Sequence, residues 1–381
     1  MLNRALASVV LLALLHPCAA VAQTVAVGQD RLAAVTNVFA GDKWLLYALV
    51  TDFQGRNDAP VLLAEGDDAR RAAIAGDGEH FLVAWADEGR TKSDVRAAIV
   101  GGAALVLARD VEHDAFQPPV PIAGSTSTGF FVVWQTSKGA DVALISSAGV
   151  IEARHSIPVA GRAGAAAIGL TPVLLSVVRG QERIALQATF LRWDWKPFRT
   201  VTIATHLVST GGGSNFITDP QLAWNGNQFY VTWTAMRTGR YLYVEGTRLT
   251  ADAAVLDVYE TCELGPAGSC GGRHRTAGRR IYSACCLYRS DALLMVGSRF
   301  VKAWQGPGRW TSSELQASWI DVDGTASEPN PLQKPEPFFY LYSDAVAALP
   351  DGELVIVRVT GTTVELRRVG SSARRRAVRG G

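Results

Sequence analysis

Residues 260–289 concentrate the side chains with the richest chemistry in this 381-residue sequence. Four cysteines beside a histidine can hold zinc, but an even number of cysteines in an oxidising compartment is typical of disulfides. Three pairings are open, and a bridge between the neighbours Cys285 and Cys286 would be strained. The arginines of this segment indicate an acidic glycan or an acidic protein face as ligand, and the alternative is a solvated loop. The cysteines are Cys262, Cys270, Cys285 and Cys286, and the arginines are Arg273, Arg275, Arg279 and Arg280.

A second cluster of note is the aromatic segment 191–198, which reads LRWDWKPF. Trp193 and Trp195 share one side if this chain is extended, because side chains alternate along a strand. An exposed pair of tryptophans suits a sugar ring or a protein hot spot. The alternative is that both rings cover the outer edge of a sheet.

Paired carboxylates could supply the acid and base of a glycosidase. Most of the acidic candidates recur at one turn position of a repeat, which favours a role in connecting strands. The S-x-D-x-G-x-T-W box of sialidases is absent, and no histidine has metal-ligand spacing. The sequence therefore favours a non-catalytic protein without cofactor or metal, and a carbohydrate-active enzyme with carboxylates at a channel mouth is the alternative. These candidates are Asp77, Asp87, Asp94, Asp141 and Glu182.

The N-terminal residues resemble an export signal. Arg4 precedes the apolar run 5–15, and an Ala-Val-Ala cleavage motif stands directly before Gln23. The run is shorter than the roughly 20 residues that cross a bilayer. We therefore expect residues 1–22 to be a signal peptide and the mature protein to be periplasmic, at the cell surface or extracellular. Lipid attachment at Cys18 is the alternative, although the residues before it are not small.

The elements that must position these side chains form a repeat. Each strong copy has an aromatic residue, Val or Lys two positions later, and Trp two positions after that. A short apolar stretch and a turn precede each copy, and the turns GDG and NGN suit Gly and Asn, which tolerate positive φ. The strong copies are 81–85 (FLVAW), 130–134 (FFVVW), 229–233 (FYVTW) and 300–304 (FVKAW).

Three weaker copies complete the series. Their spacing falls within the periods of propeller blades, except for one long interval that contains the cysteine segment. We therefore expect one domain over residues 23–370, an insertion at 260–289, and a disordered basic tail at 371–381. The weak copies are 44–48 (WLLYA), 173–177 (VLLSV) and 353–357 (ELVIV).

The repeated strands are apolar on both faces, with larger residues on one face. Such a strand needs a neighbouring sheet on each side, which a circular stack of sheets provides. We therefore expect an all-β protein, a single β-propeller of about seven four-stranded blades. A six-bladed ring and a pair of β-sandwiches are the alternatives. The short segment 24–27 (TVAV) is expected to close the ring as the missing strand of the last blade.

The segments FLVAWADEGRTKSDVRAAIV (81–100) and FYVTW…GRYLYVEGTRLTADAAVLD (229–257) resemble the repeat of secreted bacterial β-propeller-like proteins. The resemblance covers most of residues 32–370, strongly in four copies and weakly in three. It implies the fold and little about function, since propellers host many chemistries.

Charge and hydropathy narrow the range of partners. Lys and Arg number 37 against 35 Asp and Glu, which gives no reason to expect nucleic acid or an anionic membrane as partner. No later segment is apolar enough to cross a membrane. The sequence predicts an exported binding or scaffold propeller that holds a protein or a glycan through loops on one face.

Overall fold

The computed structural model describes residues 25–67, 70–87, 89, 91–113, 119–207, 216–237, 241–264, 270–277, 279–284, 289–307, 312–332, 336–337 and 344–369. These residues form strands, turns and bends, and none of them lies in an α-helix. Accordingly, a membrane-spanning helix is not found in the described part of the chain. The expected signal peptide 1–22, the tail 371–381, Cys285 and Cys286 lie outside the described residues.

Seven antiparallel sheets, here called blades 1 to 7, follow one another along the chain, and blades 1 to 4 have four strands each. Blade 1 contains β1 (Val25–Val27), β2 (Arg31–Ala40), β3 (Lys43–Asp52) and β4 (Val61–Gly66); blade 2 contains β5 (Ala72–Gly76), β6 (Phe81–Asp87), β7 (Lys92–Ile99) and β8 (Leu105–Glu112); blade 3 contains β9 (Ile122–Ser125), β10 (Gly129–Thr136), β11 (Gly139–Ser146) and β12 (Ile151–Ile157); and blade 4 contains β13 (Arg162–Ile168), β14 (Pro172–Arg179), β15 (Arg183–Leu191) and β16 (Pro197–Leu207).

In blade 5 an extra hairpin stands in the chain between the third and fourth strands. Blade 7 has three strands within the described residues. Blade 5 contains β17 (Phe216–Trp224), β18 (Phe229–Arg237), β19 (Tyr241–Leu249) and β22 (Arg279–Ala284), with β20 (Val258–Leu264) and β21 (Cys270–Ala277) forming the separate hairpin; blade 6 contains β23 (Arg289–Val296), β24 (Arg299–Pro307), β25 (Ser312–Ile320), β26 (Asn330–Pro331) and β27 (Glu336–Pro337); and blade 7 contains β28 (Ala345–Ala348), β29 (Leu354–Thr360) and β30 (Thr363–Arg368).

The first strand of each blade lies at the centre of the ring. Each of these innermost strands contacts the innermost strand of the next blade, and β28 of blade 7 contacts β1 of blade 1. The ring is therefore closed by seven blades. The predicted all-β propeller is confirmed, and the six-bladed and β-sandwich alternatives are wrong.

The contacts between blades follow the alternation of large and small side chains. On β6, Trp85 packs against blade 1, whereas Leu82 and Ala84 pack against Phe130 and Trp134 of blade 3. Each large buried side chain contributes about 1.5–3 kcal/mol relative to exposure. The motif tryptophans Trp85, Trp134, Trp233 and Trp304 all lie on the second strand of their blades and are 1%, 2%, 1% and 0% exposed.

The predicted positions of the three weak copies are wrong. Residues 44–48 lie on β3, the third strand of blade 1, whereas the strong copies lie on the second strand of their blades. In blade 4, Leu174 rather than Val173 packs towards the preceding blade, and in blade 7 Leu354 does so. These strands lack an aromatic residue that would mark one face, and a shift of one residue exchanges the faces of a strand.

The prediction that the segment 24–27 closes the ring as a strand of the last blade is also wrong. Its residues Val25–Val27 form β1, which pairs with β2, so that Val25 opposes Ala34 and Val27 opposes Leu32. It is the innermost strand of blade 1, because β2 rather than β3 is the second strand. The ring closes instead by packing of Val355 and Val357 of blade 7 against blade 1.

A side-chain amide reinforces this closure. The Asn57 Nδ2 donates to the carbonyl oxygen of Val364 at 3.1 Å, and the Val364 N–H donates to Asn57 Oδ1 at 3.1 Å. Two such bonds reproduce on β30 the pairing that a neighbouring strand would supply. The outer strand of blade 7 is thereby tied to blade 1.

A carboxylate clamps blades 2 and 3 together. Asp77, in the turn between β5 and β6, accepts the N–H of Glu79 at 3.0 Å and of His80 at 2.8 Å. It also accepts the Ser147 hydroxyl of blade 3 at 2.6 Å. Burial opposes ionisation, but the bonds from Ser147, His80 and Glu79 outweigh it and lower the pKa of Asp77. The charged carboxylate is therefore the form that the fold stabilises.

We predict that Asp77→Asn lowers the free energy of unfolding by about 1–2 kcal/mol at pH 7, because charge-assisted bonds become neutral ones. The folded pKa is lowered, so this stabilisation is complete above the pKa of the unfolded carboxyl and is lost as the pH falls through the folded pKa. Urea unfolding of both proteins at several pH values measures the difference.

The matched control is Asp351→Asn, since Asp351 occupies the corresponding turn of blade 7 and accepts the N–H of Glu353. Its effect should be under about 0.5 kcal/mol. A difference between wild type and Asp77→Asn that stays constant from pH 7 to pH 3 would contradict the assignment.

Candidate functional site

The segment 191–198 forms the turn between β15 and β16, and it divides the two tryptophans. The N–H of Trp195 donates to the carbonyl of Arg192 at 2.8 Å, and Trp195 has a φ of 62°. Trp195 is 3% exposed and Trp193 is 63% exposed. The chain is therefore not extended here, and the expectation of a pair of tryptophans on one exposed side is wrong.

Trp195 has a structural place between blades 3 and 4. On β14, Leu174 packs towards blade 3, where other blades present the aromatic residues of the motif. The Trp195 ring packs there against Phe131, with 5.7 Å between ring centroids. The turn therefore supplies the aromatic bulk that β14 lacks.

The remainder of this turn is open to solvent. Phe198 is 46% exposed and stands edge-on to the buried Phe190. Lys196 lies 3.1 Å from Asp194, and hydrogen bonds from the Lys196 side chain and backbone lower the pKa of the Asp194 carboxyl. The turn thus presents the aromatic faces of Trp193 and Phe198 to solvent among charged groups.

The predicted cysteine insertion contains the hairpin β20–β21. Cys262 lies opposite Arg273, Arg275 opposite Glu260, and Cys270 opposite Leu264. Since Cys285 and Cys286 lie outside the described residues, the disulfides stay a prediction. Arg279 and Arg280 lie on β22, which is the outermost strand of blade 5. The excursion from the blade is therefore 258–278, narrower than the predicted 260–289, and it leaves two of the four arginines in the blade.

The hairpin interrupts that outermost strand without changing its register. Before the hairpin, Val255 opposes Leu249 on β19. After it, Arg279 opposes Gly246. Counting along both chains, Arg279 occupies the position that residue 258 would have had. The excursion 258–278 is thus an addition to a complete blade, and without it the strand would be continuous up to the register shift between Val244 and Glu245 of β19.

The base of the hairpin is firmly held. Asp257 is 6% exposed and accepts from the Arg248 N–H at 3.0 Å and from its Nη2 at 2.8 Å. The side-chain bond to Asp257 outweighs burial and raises the pKa of Arg248. An ion pair with shared backbone bonds fixes the point where the chain leaves the blade.

The hairpin and the aromatic turn belong to adjacent blades. β21 contacts β16, and Arg199 Nη1 at the start of β16 donates to the carbonyl of Asp252 at 2.6 Å. We name Trp193, Phe198 and the hairpin 258–278 together the rim surface. Exposed aromatic faces and basic residues on adjacent blades suit ligands that have apolar faces and negative charge.

Three of the five candidate catalytic carboxylates, Asp77, Asp87 and Asp94, are engaged in structural contacts. Asp87 lies 2.8 Å from Arg70 Nε and 2.5 Å from Arg96 Nε. Asp94 lies 3.3 Å from Arg96 Nη2 and accepts the N–H of Asp110. These pairs stabilise the end of blade 2. Of the remaining candidates, Asp141 lies opposite Trp134 on β11 and Glu182 is exposed between β14 and β15.

The structure also buries polar residues that the sequence did not single out. Glu245 is 1% exposed and accepts from Trp233 Nε1 at 3.0 Å, and His206 Nε2 lies 3.9 Å from it. His206 is 2% exposed. Lys302, in the motif of blade 6, is fully buried, and its Nζ donates to Gln221 Oε1 at 2.5 Å. The signal for Lys302 was in the sequence, because it stands at a motif position that is otherwise Val.

A narrow channel runs between the innermost strands. It encloses a cavity of about 180 Å³, lined mainly by small apolar residues such as Ala73, Ala123 and Ala165. Arg162, at the start of β13, also lines this cavity. No group of three potential metal ligands occurs among the described residues.

Comparison with known proteins does not identify a family for this chain. No family model matches the sequence, and no curated protein matches it. The chain is similar to the crystal structure of a protein from Lactobacillus plantarum at 14% identity and a TM-score of 0.47, over 81% of this chain and 83% of that one. It is similar to α-L-arabinofuranosidase from Lactobacillus brevis at 10% identity and a TM-score of 0.35, over 68% and 92%.

A third similar structure is a protein of unknown function from Bacteroides caccae, at 9% identity and a TM-score of 0.37, over 80% and 94% of the two chains. All three TM-scores are below 0.5, so these likenesses indicate no function. The function must be argued from the residues of this chain.

We predict that substitutions of the two tryptophans of the turn change the stability by very different amounts. Trp195→Ala should lower the free energy of unfolding by about 3–5 kcal/mol, because it leaves a cavity between blades 3 and 4. Trp193→Ala should change it by under about 0.5 kcal/mol, because the ring is exposed. Chemical unfolding of both variants measures this, and equal losses would show that Trp195 is not part of the core.

Proposed function

We propose that this protein is an exported, non-catalytic propeller that binds an acidic glycan across the rim surface. The observation that carries the proposal is the in-register addition of 258–278 to a complete blade. The blade does not need this hairpin for its pairing, so the hairpin serves another purpose. Its arginines, Arg273 and Arg275, lie on β21, the strand that contacts blade 4.

The neighbouring turn supports a sugar as ligand. A sugar ring presents C–H groups that pack on an aromatic face, and Trp193 offers such a face at 63% exposure. Arginine binds carboxylate and sulfate oxygens in a bidentate manner. An acidic polysaccharide combines both features, and an acidic protein face offers the charge without the stacking.

The same residues favour binding over catalysis. Asp87 and Asp94 are held by arginines in ion pairs. A glycosidase needs two carboxyl groups about 5–10 Å apart in a concave site. The channel cavity has no carboxylate in its lining, and a second cavity, beside Asp351, has one. These observations support the binding function.

We predict that deletion of 258–278, with Asp257 joined to Arg279, leaves the propeller folded and weakens binding to acidic polysaccharides at least about tenfold. The continuous register of the outer strand is the reason to expect folding. A glycan array with the mature protein, followed by titration calorimetry on the best acidic ligand, measures the effect.

Trp193→Ala should weaken the same interaction, and the matched control Leu170→Ala should not. Leu170 is an equally exposed apolar residue, at 63%, in the turn between β13 and β14 of the same blade. If the deletion variant is folded and binds acidic polysaccharides as wild type does, the rim surface is not the binding site. Binding of an acidic protein and of no glycan would transfer the proposal to the second ligand class.

Export is a further part of the proposal. We expect the protein secreted by a bacterial host to begin at Gln23, because cleavage after an Ala-Val-Ala motif is typical of signal peptidase. Cleavage there leaves β1, which starts at Val25, intact. Intact-mass spectrometry of the periplasmic fraction measures the N-terminus. A full-length chain, or one that starts with a lipidated Cys18, would contradict this expectation.

A further inference from the structure

The channel cavity combines apolar walls with one cationic side chain. Among its described lining residues, Arg162 is the one with a formal charge. The other walls come from small aliphatic side chains of the innermost strands, including Ala163, Ala166 and Ala292. A volume of about 180 Å³ lies below the roughly 300–1,000 Å³ of pockets for drug-sized ligands. The channel can therefore hold only a small molecule.

Arg162 is a cation with little compensation. Burial lowers its pKa, the neighbouring cation Arg71 lowers it further, and Asp219 partly opposes both. Its Nη2 is enclosed by the protein and has no hydrogen-bond partner within the described chain, while the residue as a whole is half-buried at the edge of the cavity. A half-buried guanidinium gains more from a bound anion than a fully exposed one, because less water competes.

The two strands of the channel wall near Arg162, β13 and β17, both have irregular pairing. β13 has a register shift between Ala163 and Ala165, and β17 has one between Thr218 and Gln221. Between the shifts, Gly164 meets Pro220 so closely that a Cβ there would lie 2.3 Å from the proline Cγ. Bulges recur next to binding sites, where they direct side chains.

The strained residue of this wall carries an acid. Asp219 precedes Pro220 and has a φ of 48°, a conformation that non-glycine residues adopt rarely. Strain of this kind costs energy and persists where surrounding structure imposes it. Two neighbouring strands thus bulge at the level of the one charged side chain that lines the cavity.

We propose that the channel binds a small monocarboxylate with a short aliphatic chain, whose carboxylate pairs with Arg162 and whose chain lies among the alanines. The carboxylate matches the guanidinium geometry. The aliphatic chain matches the apolar walls. An anion with a shorter chain, such as acetate, would cover less of their area. This site lies on the axis of the ring, apart from the rim surface.

The test is titration calorimetry of the mature protein with butyrate, compared with the neutral isostere butyramide and the cation butylammonium. We expect saturable binding of butyrate and binding at least tenfold weaker for the other two. Arg162→Gln should weaken butyrate binding about tenfold to hundredfold, the loss of a charge-assisted bond. Arg179→Gln, an exposed arginine on β14, should leave it unchanged.

A filling variant keeps the test independent of the arginine. Ala292→Leu places a larger side chain into the cavity and should abolish butyrate binding with little change in the unfolding midpoint. The deletion of 258–278 should still bind butyrate, whatever it does to glycan binding. Absence of butyrate binding in the folded wild-type protein, or equal binding of butyrate and butyramide, would overturn the proposal.

Discussion

The structure depends on one packing constraint, the contact between the large face of one blade and the small face of the blade before it. Phe130 and Trp134 fill the space over Leu82 and Ala84, and Phe229 and Trp233 do the same over blade 4. Both faces of the second strand are apolar, so each needs a cover. Only a closed ring covers every face, and β28 meets β1 to complete it.

The places where the repeat departs from this rule explain the unusual residues. β14 presents no motif tryptophan, and Trp195 packs there from a turn, in a left-handed conformation that a free chain would avoid. β24 carries Lys302 where other copies carry Val, and Gln221 of blade 5 accepts a hydrogen bond from its ammonium group. Each departure is met by a local contact, because an open space or an unpaired polar group between blades would be costly.

Binding features can be added where they do not disturb this packing. The hairpin 258–278 leaves the outermost strand of blade 5 at Asp257 and returns in register at Arg279, so the pairing with β19 continues on both sides. An addition at the rim therefore leaves the pairing of the blade intact. The axis is different, since each innermost strand contributes to the channel wall and a change there reaches two neighbouring blades.

The sequence by itself determined the fold class, the number of blades and the four motif tryptophans, because a Phe and a Trp four residues apart mark both the strand and its large face. It did not determine the register of the weak copies, where both faces carry similar side chains. It predicted the unusual character of 191–198, but neither of its alternatives, an exposed pair or a cover on the outer edge of a sheet, placed Trp195 between blades 3 and 4. Only the tertiary structure decided this, since burial of Trp195 depends on a gap between blades 3 and 4 that no local pattern contains. The same holds for Arg162, whose partial desolvation arises from strands that meet at the axis from distant parts of the chain.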